Sequence, residues 1–183
     1  STEIVPITSE GDANLKQPIY SLGLTGVFTR SLDIALLNNQ VDIAVHSLKD
    51  VPTILPETLE LIAYPERASS ADILVYKSED IFEKEHRIIA TGSLRRKAFW
   101  NHQYPTDTIV DLRGNVQLRL KKLQDNTDWD GAIFAFAGLD RSEILDELKE
   151  KGLHYKVIDW MIAAPSQGIL GIVAKEGFDL SDI

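Results

Sequence analysis

The sequence lacks cysteine altogether, has no apolar run that approaches the roughly 18 residues of a membrane span, and carries a formal net charge of -9. Each absence closes a class of function. Without cysteine there is no disulfide, no thiolate nucleophile and no zinc–thiolate site, a usage that fits a reducing compartment. The opening S-T-E-I-V-P-I has neither the basic nor the apolar region of a signal peptide, so the reading is a soluble, cytoplasmic protein with no membrane partner. A deficit of positive charge opposes binding to a phosphate backbone, which excludes nucleic acid as the expected partner. Internal repeats and low-complexity segments are also missing. His46, His86, His102 and His154 show no ligand spacing, so no metal site is expected. G-L-T-G at 23 to 26 lacks the G-K-[ST] ending of a phosphate loop, and no G-x-S-x-G elbow is present.

What remains is a chain of 183 residues, 44% hydrophobic, long enough for one generous domain or two small ones. Residues 3 to 7 read as a short strand that opens abruptly. Phe28, Leu32, Ala35 and Leu36 have the i, i+4, i+7, i+8 spacing of an amphipathic helix, from about Thr29 to Asn39. V-D-I-A-V at 41 to 45 reads as a strand of the parallel kind, covered on both faces. After a strand at 59 to 63, P-E-R-A-S-S at 65 to 70 separates it from the strand A-D-I-L-V-Y, a candidate crossing between domains. Strands at 87–91, 108–112 and 131–136 then alternate with helices from Leu94, from Val116 and over about 142 to 151, the last ended by Gly152. A strand near 155–160 precedes A-A-P-S-Q-G at 163 to 168, a second crossing, and I-L-G-I-V-A resumes as structure. Two crossings around one α/β unit predict a two-lobed, type II periplasmic-binding-protein-like fold, each lobe a doubly wound mixed sheet. Domain 1 comprises 1–66 and 168–183, domain 2 comprises 71–162, and the hinges fall near 66–71 and 162–168.

The chemistry-bearing residues follow strand ends. V-H-S-L-K-D-V-P-T at 45 to 53 carries Lys49 and Asp50 just past a strand, Thr91 and Ser93 follow another, and Arg113 and Arg141 follow two more. In an open α/β sheet such positions share one edge and can converge on one cleft. In T-G-S-L-R-R at 91 to 96, Ser93 caps a helix whose first turn holds Arg95 and Arg96, where the macrodipole disfavours a cation by about 0.3–1 kcal/mol each. A bound carboxylate or phosphate resolves that misfit, and pairing with a neighbouring acid is the blander alternative. L-R-G-N-V-Q-L-R-L at 112 to 120 repeats the arrangement, with Gly114 permitting close approach and Asn115 as N-cap. Arg119 is divided evenly between this cluster and a solvated face. Lys49–Asp50 can be a surface ion pair, yet a carboxylate facing a cation-rich cleft can steady a developing positive charge and move protons. His46, Ser47 and Asp50 are not a hydrolase triad, because adjacent strand residues point to opposite faces, and His46 reads as a hydrogen-bonded structural histidine. The sum is a small substrate with several negative charges and a cationic intermediate.

These motifs resemble one family: E-G-D at 10 to 12, F-T-R-S-L at 28 to 32, V-H-S-L-K-D-V-P-T, S-L-R-R at 93 to 96, L-R-G-N-V at 112 to 116, A-G-L-D-R at 137 to 141 and Q-G-I-L-G-I at 167 to 172 are similar, in order, to those of the porphobilinogen deaminases (hydroxymethylbilane synthases). The resemblance implies head-to-tail condensation of four porphobilinogen molecules into a linear tetrapyrrole with loss of ammonia, by a monomeric transferase of haem biosynthesis. It implies that Asp50 is catalytic, contacting pyrrole N–H groups and steadying the cationic azafulvene. Ser47, Lys49, Thr91, Ser93, Arg95, Arg96, Arg113, Arg119, Arg141 and Gln167 match positions that hold the carboxylates of cofactor and substrate, and Phe28 matches one that lines the cleft. The family's dipyrromethane cofactor is covalently held by a cysteine of a third domain, so the resemblance also implies a fragment, inactive alone, that lacks this domain and an N-terminal strand. Departures from the family pattern are Thr25 for lysine, P-E-R-A-S-S for an E-R-E-D-P-R-D type sequence, Gly92 for serine and Ser166 for glycine. The rival reading is a non-catalytic two-lobed binding protein for a small polycarboxylate, which gains nothing from a carboxylate facing its ligand.

Overall fold

A computed structural model describes residues 2–8, 29–179 and 181. The chain divides into two compact units, Ser1–Arg67 with Ile169–Ile183, and Ala68–Gly168. Both are α/β, and among the described residues no helix is long and apolar enough to cross a membrane.

In the first unit, helix α1 (Arg30–Leu37) starts at Thr29 and stops at Asn38, where Asn39 turns left-handed at φ 55°. Its buried face carries Ala35 and Leu36, and Leu36 packs with Ala44, Leu59 and Val173. Strand β1 (Ile43–Ser47) and strand β2 (Leu59–Ala63) flank the last strand, β8 (Leu170–Lys175), and each pairs with it antiparallel. Strand β1 therefore sits two residues later than the run 41–45 and lacks the double cover expected of it. Its burial alternates, with Ala44 and His46 inside and Val45 56% exposed, because only one face lies under α1. The expected strand at 3–7 does not form: no strand of the described residues pairs with it, and Ile4 is 91% exposed.

The second unit holds a five-stranded sheet in the order β5-β4-β6-β3-β7. Its strands are β3 (Asp72–Tyr76), β4 (Ile88–Ala90), β5 (Thr108–Val110), β6 (Gly131–Ala135) and β7 (His154–Ile158). β4 pairs parallel with β5 and β6, whereas β3 runs antiparallel to both β6 and β7. Helix α2 (Leu94–Gln103) follows β4 and helix α3 (Val116–Asp125) follows β5, so the sheet is wound on both faces. Ile73 and Val75 of β3 join Leu120 and Leu123 of α3 in one core, while Leu74 and Tyr76 join Trp100 of α2 in the other. All five residues of β3 are buried as a result. Within the expected helix at 142–151 only the short α5 (Ile144–Glu147) forms, and another short helix, α4 (Phe136–Asp140), precedes it. Glu143 between them takes φ 57°, which no helix continues through, and this turn lets Leu139, Ile144 and Leu148 all reach the core.

Candidate functional site

The topology of the second unit brings its polar residues to one sheet edge. The carboxyl ends of β4, β5 and β6 share that edge, and because β3 is reversed its first residue, Asp72, lies there too, opposite Ala135 and Ile158. A carboxylate heading an all-buried strand must be paired. Asp72 is fully buried, and its partners come from the start of α2: Arg96 donates to Oδ1 through Nε at 3.0 Å and Nη2 at 2.8 Å, and Arg95 Nη2 donates to Oδ2 at 2.7 Å. Gln167 Nε2 donates to Asp72 Oδ1 at 3.0 Å and to the Ser70 carbonyl at 2.7 Å. The guanidinium of Arg96 also reaches the Ile133 carbonyl at 3.1 Å, and its side chain is only 7% exposed.

Ser93 caps α2 by accepting from the Arg96 N–H at 3.4 Å, and Thr91, itself buried, accepts from the Ser93 N–H at 3.3 Å. The misfit of two arginines in this first turn is met in part from inside the unit, since Asp72 supplies the acid that α2 lacks there. Two guanidiniums share this one carboxylate. Arg113 is 7% exposed, and its Cδ lies 4.0 Å from where a Cβ on Gly92 would stand, which sets it beside the Thr91–Ser93 turn. Arg141 Nη2 donates to the Gly168 carbonyl at 2.6 Å. Asn115 caps α3 through Leu118 N–H at 2.9 Å, and Arg119 Nε turns back to the Gly114 carbonyl at 2.5 Å. Thr91, Ser93, Arg95, Arg96 and Gln167 thus form one connected group, joined through Asp72, with Arg113 against its turn. Arg119 and Arg141 are held by loop carbonyls.

Two of the departures from the family pattern have a structural counterpart. A Cβ on Gly92 would stand 2.5 Å from the Leu112 carbonyl oxygen, so serine does not fit without a shift. Ser166 occupies φ 58°, a conformation that glycine adopts at no steric cost.

In the first unit, a single 3-10 turn (Leu48–Asp50) follows β1 and presents Lys49 and Asp50, both exposed. It is pinned by Leu48 N–H to the Ile169 carbonyl at 2.9 Å and Val51 N–H to the Leu48 carbonyl at 3.2 Å. Ser47, the last strand residue, is exposed, and Phe28 lies outside the described residues. His46 points the other way, inward. It is 6% exposed, as a structural histidine would be, and its Nε2 has no hydrogen-bond partner.

Sequence reasoning missed Asp72. Its signal was present as an acid at the head of an apolar strand, but the partner arginines stand more than twenty residues away and meet it only through the sheet.

The family model "Porphobilinogen deaminase, dipyromethane cofactor binding domain" matches residues 1–180. The chain belongs to this family. A probable porphobilinogen deaminase of Picrophilus torridus is 40% identical over 100% of this chain and 62% of its own length. The porphobilinogen deaminases of Syntrophotalea carbinolica and Francisella tularensis subsp. novicida are 39% and 42% identical, over 98% and 95% of this chain and 56% and 57% of theirs. The chain thus spans 56–62% of the length of these relatives. Among solved structures, the Bordetella pertussis BvgS periplasmic VFT2 domain aligns over 82% of this chain and 61% of that one, at 12% identity and a TM-score of 0.49, too low to bear on the fold.

Proposed function

We propose that this chain supplies the catalytic and carboxylate-holding residues of a cytoplasmic, monomeric porphobilinogen deaminase, a transferase that joins four porphobilinogen molecules head to tail into hydroxymethylbilane and releases ammonia. The observation that carries the reading is the arginine group at one edge of the second unit's sheet, where the guanidiniums of Arg95 and Arg96 meet the buried Asp72 carboxylate. Porphobilinogen carries acetate and propionate side chains, which such an edge holds through charge-assisted forks. Arg95 is the member best suited to that exchange, because its side chain is 22% exposed and its partners can be traded for a substrate carboxylate. Arg96, shut in with Asp72, orients it.

Asp50 stands exposed on a pinned turn, so the role we assign to it is contact with pyrrole N–H groups, stabilisation of the cation formed as ammonia leaves, and proton transfer. Lys49 and Ser47 beside it would hold substrate carboxylates. The same arginine edge fits the family's dipyrromethane, another polyanion, and Arg95, Arg113, Arg119 and Arg141 would hold its carboxylates. When bound, that group supplies the pyrrole end to which substrate units are added. These 183 residues contain no cysteine to carry it, and we place its attachment outside them.

The test is incubation with porphobilinogen at the relatives' full length. One ammonia released per porphobilinogen consumed supports the reading. Binding without ammonia release would leave the polycarboxylate-binding protein as the better account.

A further inference from the structure

The second unit holds a cavity of about 280 Å³ that shares no residue with the arginine edge. It lies between the end of α2, the edge strand β7 and the 3-10 turn Glu79–Phe82. Leu74 and Ile158, both buried, line it from the sheet. Aromatic rings make up much of the rest. Trp100, Tyr104 and Trp160 stand 5.0 to 5.8 Å apart from centroid to centroid, and Phe82 lines the cavity from the turn. Two of these rings are fixed from inside the unit. Trp100 Nε1 donates to Oδ2 of the buried Asp107 at 2.8 Å, and the Arg87 guanidinium, itself bonded to Asp107, lies 4.2 Å from the Tyr104 ring centroid. Rings anchored in this way are already ordered, so a ligand that packs on them loses little to immobilising the wall. Lys156 and Asp159 complete the lining and are both exposed, which marks the open side. Lys156 Nζ sits 4.5 Å from the Phe82 ring centroid, and no acid pairs with it among the described residues.

We propose that this cavity is a binding site for a small planar aromatic molecule that carries one carboxylate. The inference does not rest on the deaminase reading. Volume sets the size of the ligand: the cavity is at the small end of ligand pockets, which run from roughly 300 to 1,000 Å³, so it admits a single or fused ring and not a chain of linked pyrroles. The walls set its body, because four aromatic side chains offer faces and edges against which a flat ring packs better than a saturated one. Lys156 sets its charge. The ammonium rests over the Phe82 ring, a weak contact at an exposed site, and can be traded for a charge-assisted bond to a carboxylate. A cationic ligand would meet Lys156 at the opening and find the outer face of Tyr104 already taken by Arg87. Asp159, beside Lys156, is placed to accept from a ring N–H.

The test titrates the full-length protein with indole-3-acetate and follows the tryptophan indole N–H signals by 1H–15N NMR, assigned by single Trp→Phe replacements. Trp100 and Trp160 line the cavity, whereas Trp129 packs against the other core and serves as the internal control. A ligand of this size binds in the millimolar range or tighter, so a titration to about 10 mM is decisive. The Trp100 and Trp160 signals should shift and saturate while Trp129 stays in place. No shift, or an equal shift of all three, overturns the proposal. Two further probes separate ring from charge in the wild type. Cyclohexylacetate, with the charge and no flat ring, should bind about two- to tenfold more weakly than indole-3-acetate, and equal affinity overturns the aromatic assignment. Lys156→Met, an exposed substitution, should weaken indole-3-acetate by at least about fivefold and leave uncharged indole within about twofold. An equal effect on both probes, or none on either, overturns the role of Lys156. Because none of these readings needs turnover, a protein that releases no ammonia refutes the deaminase reading and leaves this test intact.

Discussion

Replacing Asp72 by asparagine keeps the shape of the side chain and removes the charge that two arginines share. The loss is set by where those arginines can go. Arg96, with a side chain 7% exposed, keeps its bond to the Ile133 carbonyl but loses its carboxylate, and leaving a buried charge without its partner costs about 3–5 kcal/mol. Arg95, 22% exposed, can turn to water, so its pair with Asp72 adds at most about 1 kcal/mol. Gln167 keeps its bond to the Ser70 carbonyl. The sum is about 3–6 kcal/mol, which lowers Tm by roughly 6–24 °C in a chain of this size. Urea unfolding followed by circular dichroism measures it, with Asp125→Asn as reference, since the Lys121–Asp125 pair is 69% and 61% exposed and worth no more than about 0.5 kcal/mol. The double variant Asp72→Leu/Arg96→Met should lose less than Asp72→Asn alone, because it leaves no Arg96 charge stranded. Asp72→Asn within about 1 kcal/mol of the wild type refutes the claim that this carboxylate organises the edge.

Gly92→Ser, which restores the family's usual residue, should destabilise by about 1–3 kcal/mol, because its Cβ meets the Leu112 carbonyl oxygen at 2.5 Å; an unchanged melting temperature would show that the turn yields freely. Tyr76, whose hydroxyl donates to Glu79 Oε1 at 2.7 Å, is pushed up to about 12 by burial and by that acid. Its proton is held more tightly folded than unfolded, so stability should fall as pH rises above 10, and ultraviolet titration should show one tyrosine ionising late in the wild type and earlier in Glu79→Gln. His46 has the opposite sense of binding. Its pKa is lowered on folding, so the unfolded chain holds more protons in the window just below 6.5, and stability should rise with pH there and lose that slope in His46→Gln.

Local chemistry made much of this legible. Ser93 and Asn115 were read as N-caps and both accept the predicted backbone bond, and the α2 and α3 starts follow from them. The β-strand at 59 to 63 forms with those bounds. What failed were features that depend on partners. The helix expected from 142 starts only at Ile144, because Glu143 adopts a left-handed conformation that no rule of residue type assigns to glutamate. The strand placed at 41–45 shifted because the buried face is set by α1 packing, which takes Ala44 and His46 inward. Asp72 meets Arg95 and Arg96 only because β3 runs against β6, a pairing invisible to spacing along the chain. The unsatisfied atoms of His46 and Asp33 are equally absent from sequence, since both residues look ordinary at the positions they hold.

The central claim is that Asp50 moves protons and steadies charge for a deaminase. The most direct measurement is the rate of ammonia release from porphobilinogen by Asp50→Asn, alongside its affinity for porphobilinogen, in the full-length protein. A positioned acid–base group is worth about 10²–10⁴ in rate, so the account predicts a loss of that size with binding retained. A variant that keeps the wild-type rate contradicts it.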